Sequence, residues 1–101
     1  MTITKSEYEG AVALAAEGKL DNNTSDALRA AIEDNFDGTG RLFLDFEKLA
    51  YVSSAGLRVI LAVYRKADER GGGVVLRNVN AEILELFDMT GFSDIVVIEN
   101  K

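Results

Sequence analysis

The sequence predicts an α/β domain: a single mixed, mostly parallel β-sheet with helices packed against it. Two observations carry this. Runs of branched and aromatic residues alternate with stretches whose apolar residues recur at helical spacing, in the order β-β-α-β-α-β-α-β. The last part of that order makes three successive strand–helix–strand units, which need parallel pairing, whereas the first two strands lie close enough for an antiparallel hairpin. The 101 residues suffice for one domain and not for two, so 1–101 is read as a single domain. No repeat, low-complexity segment or linker interrupts it.

Ile3–Tyr8 and Val12–Glu17 are short β-like runs on either side of Glu9–Gly10, a dipeptide suited to a hairpin turn. Gly18–Lys19–Leu20–Asp21 is expected to close the second strand. Asn22, Asn23, Thr24 and Ser25 offer N-cap oxygens to a helix in which Ala27, Leu28, Ala31, Ile32 and Phe36 share one apolar stripe. Gly38 and Gly40 end that helix, and Arg41–Phe46 reads as a buried strand. Glu47–Val52 is read as a link into a second helix over about Ser54–Arg70. Gly71, Gly72 and Gly73 stop it, and one of them can supply a left-handed C-cap. Val74–Leu76, Ala81–Met89 and Ile95–Ile98 complete the chain as strand, helix and strand.

The second helix is more apolar than one face requires. Leu57, Ile60, Leu61 and Tyr64 make the expected core-facing stripe, which leaves Val59, Ala62 and Val63 on the flanks. Either a neighbouring helix covers them, or they stay open as a docking patch; full burial of Val59 and Val63 would exclude the patch.

Composition excludes much. Hydrophobic residues are 48% of the chain, enough for a real core, and no run of about 18 apolar residues predicts a membrane span. Met1–Gly10 carries Lys5, Glu7 and Glu9 and no apolar stretch, so no signal peptide is expected. Cysteine is absent, which rules out disulfides and thiolate metal sites and fits a reducing cytoplasm. Histidine is absent too. That removes Ser–His nucleophile pairs and imidazole acid–base chemistry, and leaves zinc only carboxylates. With a net charge of −6 and eleven Lys and Arg scattered along the chain, neither nucleic acid nor an anionic membrane is an expected partner.

The most informative stretch is Tyr51–Val52–Ser53–Ser54–Ala55–Gly56–Leu57, where two hydroxyls sit at the start of the second helix. The first helical turn has unpaired N–H groups and a partial positive charge, so an anion such as a phosphoserine is tolerated there. Gly56 is read as keeping the surface low beside the hydroxyl. On these residues alone the favoured reading is the plainer one, an N-cap with small packing neighbours.

Four short motifs fall in order along almost the whole chain. They are Gly18–Lys19–Leu20–Asp21, the apolar strand ending in Asp at Leu42–Phe43–Leu44–Asp45, Tyr51 through Leu57, and Gly71–Gly72–Gly73–Val74–Val75–Leu76. In this order the chain resembles the STAS domain family, particularly bacterial anti-sigma factor antagonists. The resemblance implies a non-catalytic protein that binds an anti-sigma factor serine kinase when unphosphorylated and so frees a sigma factor. It also implies phosphorylation of the Ser two residues before the Gly, here Ser54, and resetting by a serine phosphatase. ATP and its metal belong to the kinase, so no cofactor is implied for this domain. Ser53 stands where many members have Asp and Ala55 where many have a second Ser; Ser53 is thus a second candidate acceptor, and the distance to Gly56 favours Ser54 over it.

The partner surface expected around Ser54 comprises Asp21, Asn22, Asn23, Ser53, Ala55, Gly56, Leu57, Arg58 and Val59. Asp21 follows a strand, and in a parallel sheet that end neighbours the serine turn; it fits a turn or cap residue as well as a rim residue. Asp45, also at a strand end, is read as structural or as a border of the same surface. A constitutive adaptor in a transporter or stress-signalling complex is the alternative function. A hydrolase using Ser54 lacks both a base and a Gly-x-Ser-x-Gly elbow, and nucleotide binding at the Asp21–Ser54 edge has thin support.

Overall fold

The computed structural model describes residues 1–99. Its strands are β1 (Thr2–Tyr8), β2 (Ala11–Leu20), β3 (Arg41–Asp45), β4 (Leu49–Val52), β5 (Gly73–Arg77) and β6 (Val97–Glu99). Its helices are α1 (Ser25–Asn35), α2 (Ser54–Glu69) and α3 (Ala81–Thr90), the last followed by a 3₁₀ turn at Phe92–Asp94. The sheet runs β1-β2-β3-β5-β6, with β4 beside β2. Among the described residues only β1 and β2 pair antiparallel; the remaining pairings are parallel, as the strand–helix–strand units require. Glu9 and Gly10 both have positive φ, 51° and 79°, which is the primed hairpin turn whose twist matches that of the strands.

The segment read as a link contains a strand, β4. The cause lies in β2, which does not stop at Glu17 but continues through Gly18, at a φ of 109°, to Leu20. Val12–Ala15 pair with β3, and Gly18–Leu20 then pair with β4, so β2 serves two neighbours in succession on one edge. The final strand begins at Val97 rather than Ile95, because the chain first winds through the 3₁₀ turn. The glycine stop of α2 is as expected. Gly71 is left-handed, and the N–H groups of Gly72 and Gly71 donate to the carbonyls of Ala67 (2.8 Å) and Asp68 (3.2 Å).

All three helices pack on one face of the sheet. Leu14, Leu42, Leu44, Val74 and Leu76 form one core with Leu28 and Ile32 of α1, Val59, Ile60 and Val63 of α2, and Ile83 and Phe87 of α3. Ala27, placed in the α1 stripe from its spacing, is exposed instead. In α2 the buried line is Gly56, Val59, Ile60, Val63 and Ala67, while Leu57, Leu61 and Tyr64 are half-buried. The helix is therefore rotated toward α1, which packs beside it over Val59 and Val63, whereas Ala62 stays exposed. Val59 and Val63 are only 3% and 9% exposed, so the open docking patch does not exist.

The opposite face carries no helical residue in its apolar cluster. Ala13, Phe43 and Val75 are sealed by Tyr8 and Ala11. The Tyr8 ring stands edge-on to Phe43, with centroids 4.9 Å apart at 82°, and the Arg77 guanidinium lies 3.8 Å from the Tyr8 ring centre. Arg41 covers Phe43 from 4.9 Å, and the phenyl ring is fully buried without any helix above it.

Candidate functional site

The parallel arrangement brings the end of β2, the end of β4 and the start of α2 to one rim of the sheet. There Ser53 is the N-cap of α2. Its N–H donates to the Leu20 carbonyl (2.8 Å), its carbonyl accepts from Leu57 N–H (2.9 Å), and its Oγ accepts from Gly56 N–H (3.2 Å). Its hydroxyl is thus committed to the helix. Ser54, the first helical residue, is exposed, and among the described residues its hydroxyl makes no hydrogen bond.

Across a short gap lies the turn between β2 and α1. Asp21 Oδ1 accepts from the N–H groups of Asn23 (2.9 Å) and Thr24 (3.2 Å). Thr24 Oγ1 accepts from Asp21 N–H (2.9 Å) and donates to the Lys19 carbonyl (2.7 Å). Thr24 holds the N-cap position of α1 without a side-chain cap bond, because its hydroxyl is spent on the turn. This small network fixes the loop, leaving Asn22 and Asn23 exposed at its tip. Asp21, Asn22, Asn23, Tyr51, Ser53 and Ser54 together line one open depression.

The expected partner residues therefore divide. Asp21, Asn22, Asn23, Ser53 and Ser54 stand together, and Arg58 is exposed four residues along α2 with no ion pair among the described residues. Ala55 and Leu57 are half-buried. Gly56 and Val59 are corrections. Gly56 is buried where α2 crosses the end of β2: a Cβ there would lie 2.7 Å from Leu20 Cγ and 3.1 Å from the Leu20 carbonyl oxygen. Its absent side chain serves packing, not access. Val59 faces the core beneath α1 and offers nothing to a partner.

Asp45 lies away from this rim, its carboxylate accepting from Glu47 N–H (3.0 Å) and Asn78 Nδ2 (3.2 Å). Tyr51, missed as a site residue, is 51% exposed at the depression. Its signal was an aromatic within the serine motif; its orientation needed a strand that the sequence did not announce. Among the described residues no three Asp or Glu side chains are grouped to hold a metal ion, and no helix is long and apolar enough to cross a membrane.

The fold has known counterparts. BtrV of Bordetella bronchiseptica, a protein named for anti-sigma factor antagonism, is 31% identical over all of this chain and 88% of its own length. An anti-sigma factor antagonist from Mycobacterium paratuberculosis superimposes with a TM-score of 0.80 at 26% identity, over 96% of this chain and 83% of its own. SpoIIAA, an anti-sigma factor antagonist of Bacillus, matches in its unphosphorylated and phosphorylated forms with TM-scores of 0.73 and 0.72, each at 18% identity over 99% of this chain. These matches cover 89% and 91% of the SpoIIAA chains. The STAS domain model matches residues 2–101, and with it the rim built by β2, β4 and α2: this chain belongs to the STAS domain family.

Proposed function

We propose that this chain is an anti-sigma factor antagonist, which binds an anti-sigma factor serine kinase when unphosphorylated and is switched off by phosphorylation of Ser54. The observation that carries the reading is the division of labour between two adjacent hydroxyls. Ser53 is held as the helix cap, while Ser54 is exposed and unbonded at a helix start that favours an anion. A partner phosphatase resets the switch, and the setting is the cytoplasm, where kinase and sigma factor meet.

The switch works locally. A phosphoryl group adds about −1.5 to −2 charge and three acceptor oxygens near neutral pH. Set into a protein interface without a matching cation, that charge is costly to desolvate, and about 2.7 kcal/mol weakens binding a hundredfold. No refolding is needed. SpoIIAA has been solved with and without phosphate, and both forms match this chain almost equally, at 0.72 and 0.73.

The test is intact-protein mass spectrometry after incubation with ATP and the anti-sigma kinase encoded in the same genome. One added phosphate, mapped to Ser54 and absent from Ser54→Ala, is the expected outcome. A stable complex without phosphate would replace the switch by a constitutive adaptor, and neither phosphate nor complex would refute the reading.

A further inference from the structure

We infer that Tyr51 is the apolar anchor through which the kinase partner grips this domain, an inference that rests on the function proposed above. The first observation is a β-bulge. Gly18 pairs with Leu49 and Leu20 with Val52, but Lys19 pairs with Tyr51, so β4 carries one extra residue, Ala50, against β2. In a regular strand Tyr51 would share the face of Leu49, two residues before it, and point into the core. With Ala50 inserted, Leu49 and Val52 are both buried, at 1% and 3% exposure, while Tyr51 is turned out. Bulges re-aim side chains in this way, and they gather beside functional sites.

The second observation is where the exposed ring stands. Tyr51 is the only aromatic side chain of the exposed class among the described residues; Tyr8, Tyr64 and Phe36 are half-buried and the other phenylalanines are buried. It stands in the depression that also holds Asp21 and Ser54. An exposed tyrosine offers a large ring with little rotamer freedom to lose and a hydroxyl for one hydrogen bond. Such residues dominate binding energy when a partner encloses them. The matching partner surface is an apolar socket for the ring, with a hydrogen-bonding group at its floor and a basic rim toward Asp21. A phosphate on Ser54, three residues along the chain, introduces its charge beside that enclosed ring. Anchor and switch then share one contact.

Affinity for the same anti-sigma kinase, measured by titration calorimetry, tests this with wild type, Tyr51→Ser and Tyr51→Phe. Loss of at least about thirtyfold is expected for Tyr51→Ser, and less than about threefold for Tyr51→Phe, with melting temperatures unchanged. If the wild type binds and Tyr51→Ser binds as well, the anchor is wrong while the functional reading stands. If the wild type does not bind, the functional reading fails and the anchor with it. Should Tyr51→Ser melt early, ring resonances of wild-type Tyr51 decide instead: they must shift and show contacts to partner protons in the complex, and unshifted resonances overturn the inference.

Discussion

Two neighbouring serines at the start of α2 do different work, and one hydrogen bond separates them. Ser53 Oγ is the acceptor for Gly56 N–H, a bond whose loss from an N-cap typically costs about 1 kcal/mol. Ser54 contributes nothing comparable to the helix and is available for chemistry. That distinction was legible in the sequence to the extent that Ser is a preferred cap; which Ser caps is set by the strand feeding into it, through the Ser53–Leu20 bond. At the opposite end of the domain, Asp37 accepts from the hydroxyl (2.6 Å) and the N–H (2.9 Å) of Thr39. These bonds, the hydroxyl first, hold its carboxyl below the ordinary 3.8. The folded value is therefore lower than the unfolded one. The resulting stabilisation is present above about pH 3.8 and is lost as pH falls through the depressed folded value. Thr39→Val removes the hydroxyl bond, so the Asp37 midpoint should rise toward 3.8 in an NMR titration of the carboxyl group, and a midpoint that does not move would contradict the assignment.

Elements with local causes were the legible ones. The hairpin at Glu9–Gly10, the serine cap of α2 and the triple-glycine stop each follow from residues in contact along the chain. The phase of α2 does not. Its apolar residues at 57 and 59–64 are spread over more than half of the helix circumference, so at least two faces qualify, and the position of α1 selects between them. Ile60→Ala, at the centre of the buried line, is expected to lower unfolding free energy by about 2–5 kcal/mol. Ala62→Ser, on the outer side, should stay within about 0.5 kcal/mol in the same denaturation experiment, and equal losses would mean the helix sits in another phase. β4 was illegible for a related reason. Four residues paired to a strand that runs on past a glycine are fixed by that partner, and Tyr51 at the site was hidden with them.

At the scale of the molecule, the sheet has one face under helices and one face roofed by its own side chains. Tyr8 reaches over small residues of β2 to Phe43, and Arg77 closes over Tyr8. With the helices all on the other side, the serine rim is reached across the edge where β2 and β4 end and α2 begins. A net charge of −6 is carried by the whole chain, and a phosphate on Ser54 would add to it at only one corner. β2 ties these parts together, bonded to β1 on one edge and to β3 and then β4 on the other. A strand gripped from both edges has no partial opening that frees it alone. Its central amides should exchange with deuterium only when the entire domain opens, at the rate set by global stability. Because β2 ends at Leu20, whose carbonyl holds Ser53, and the start of α2 favours an anion, the same exchange rates should not increase when Ser54 carries a phosphate. The rim would thus be written and erased like a mark on a rigid plate, and any loosening of the β2 amides on phosphorylation would show that the message travels through the fold instead.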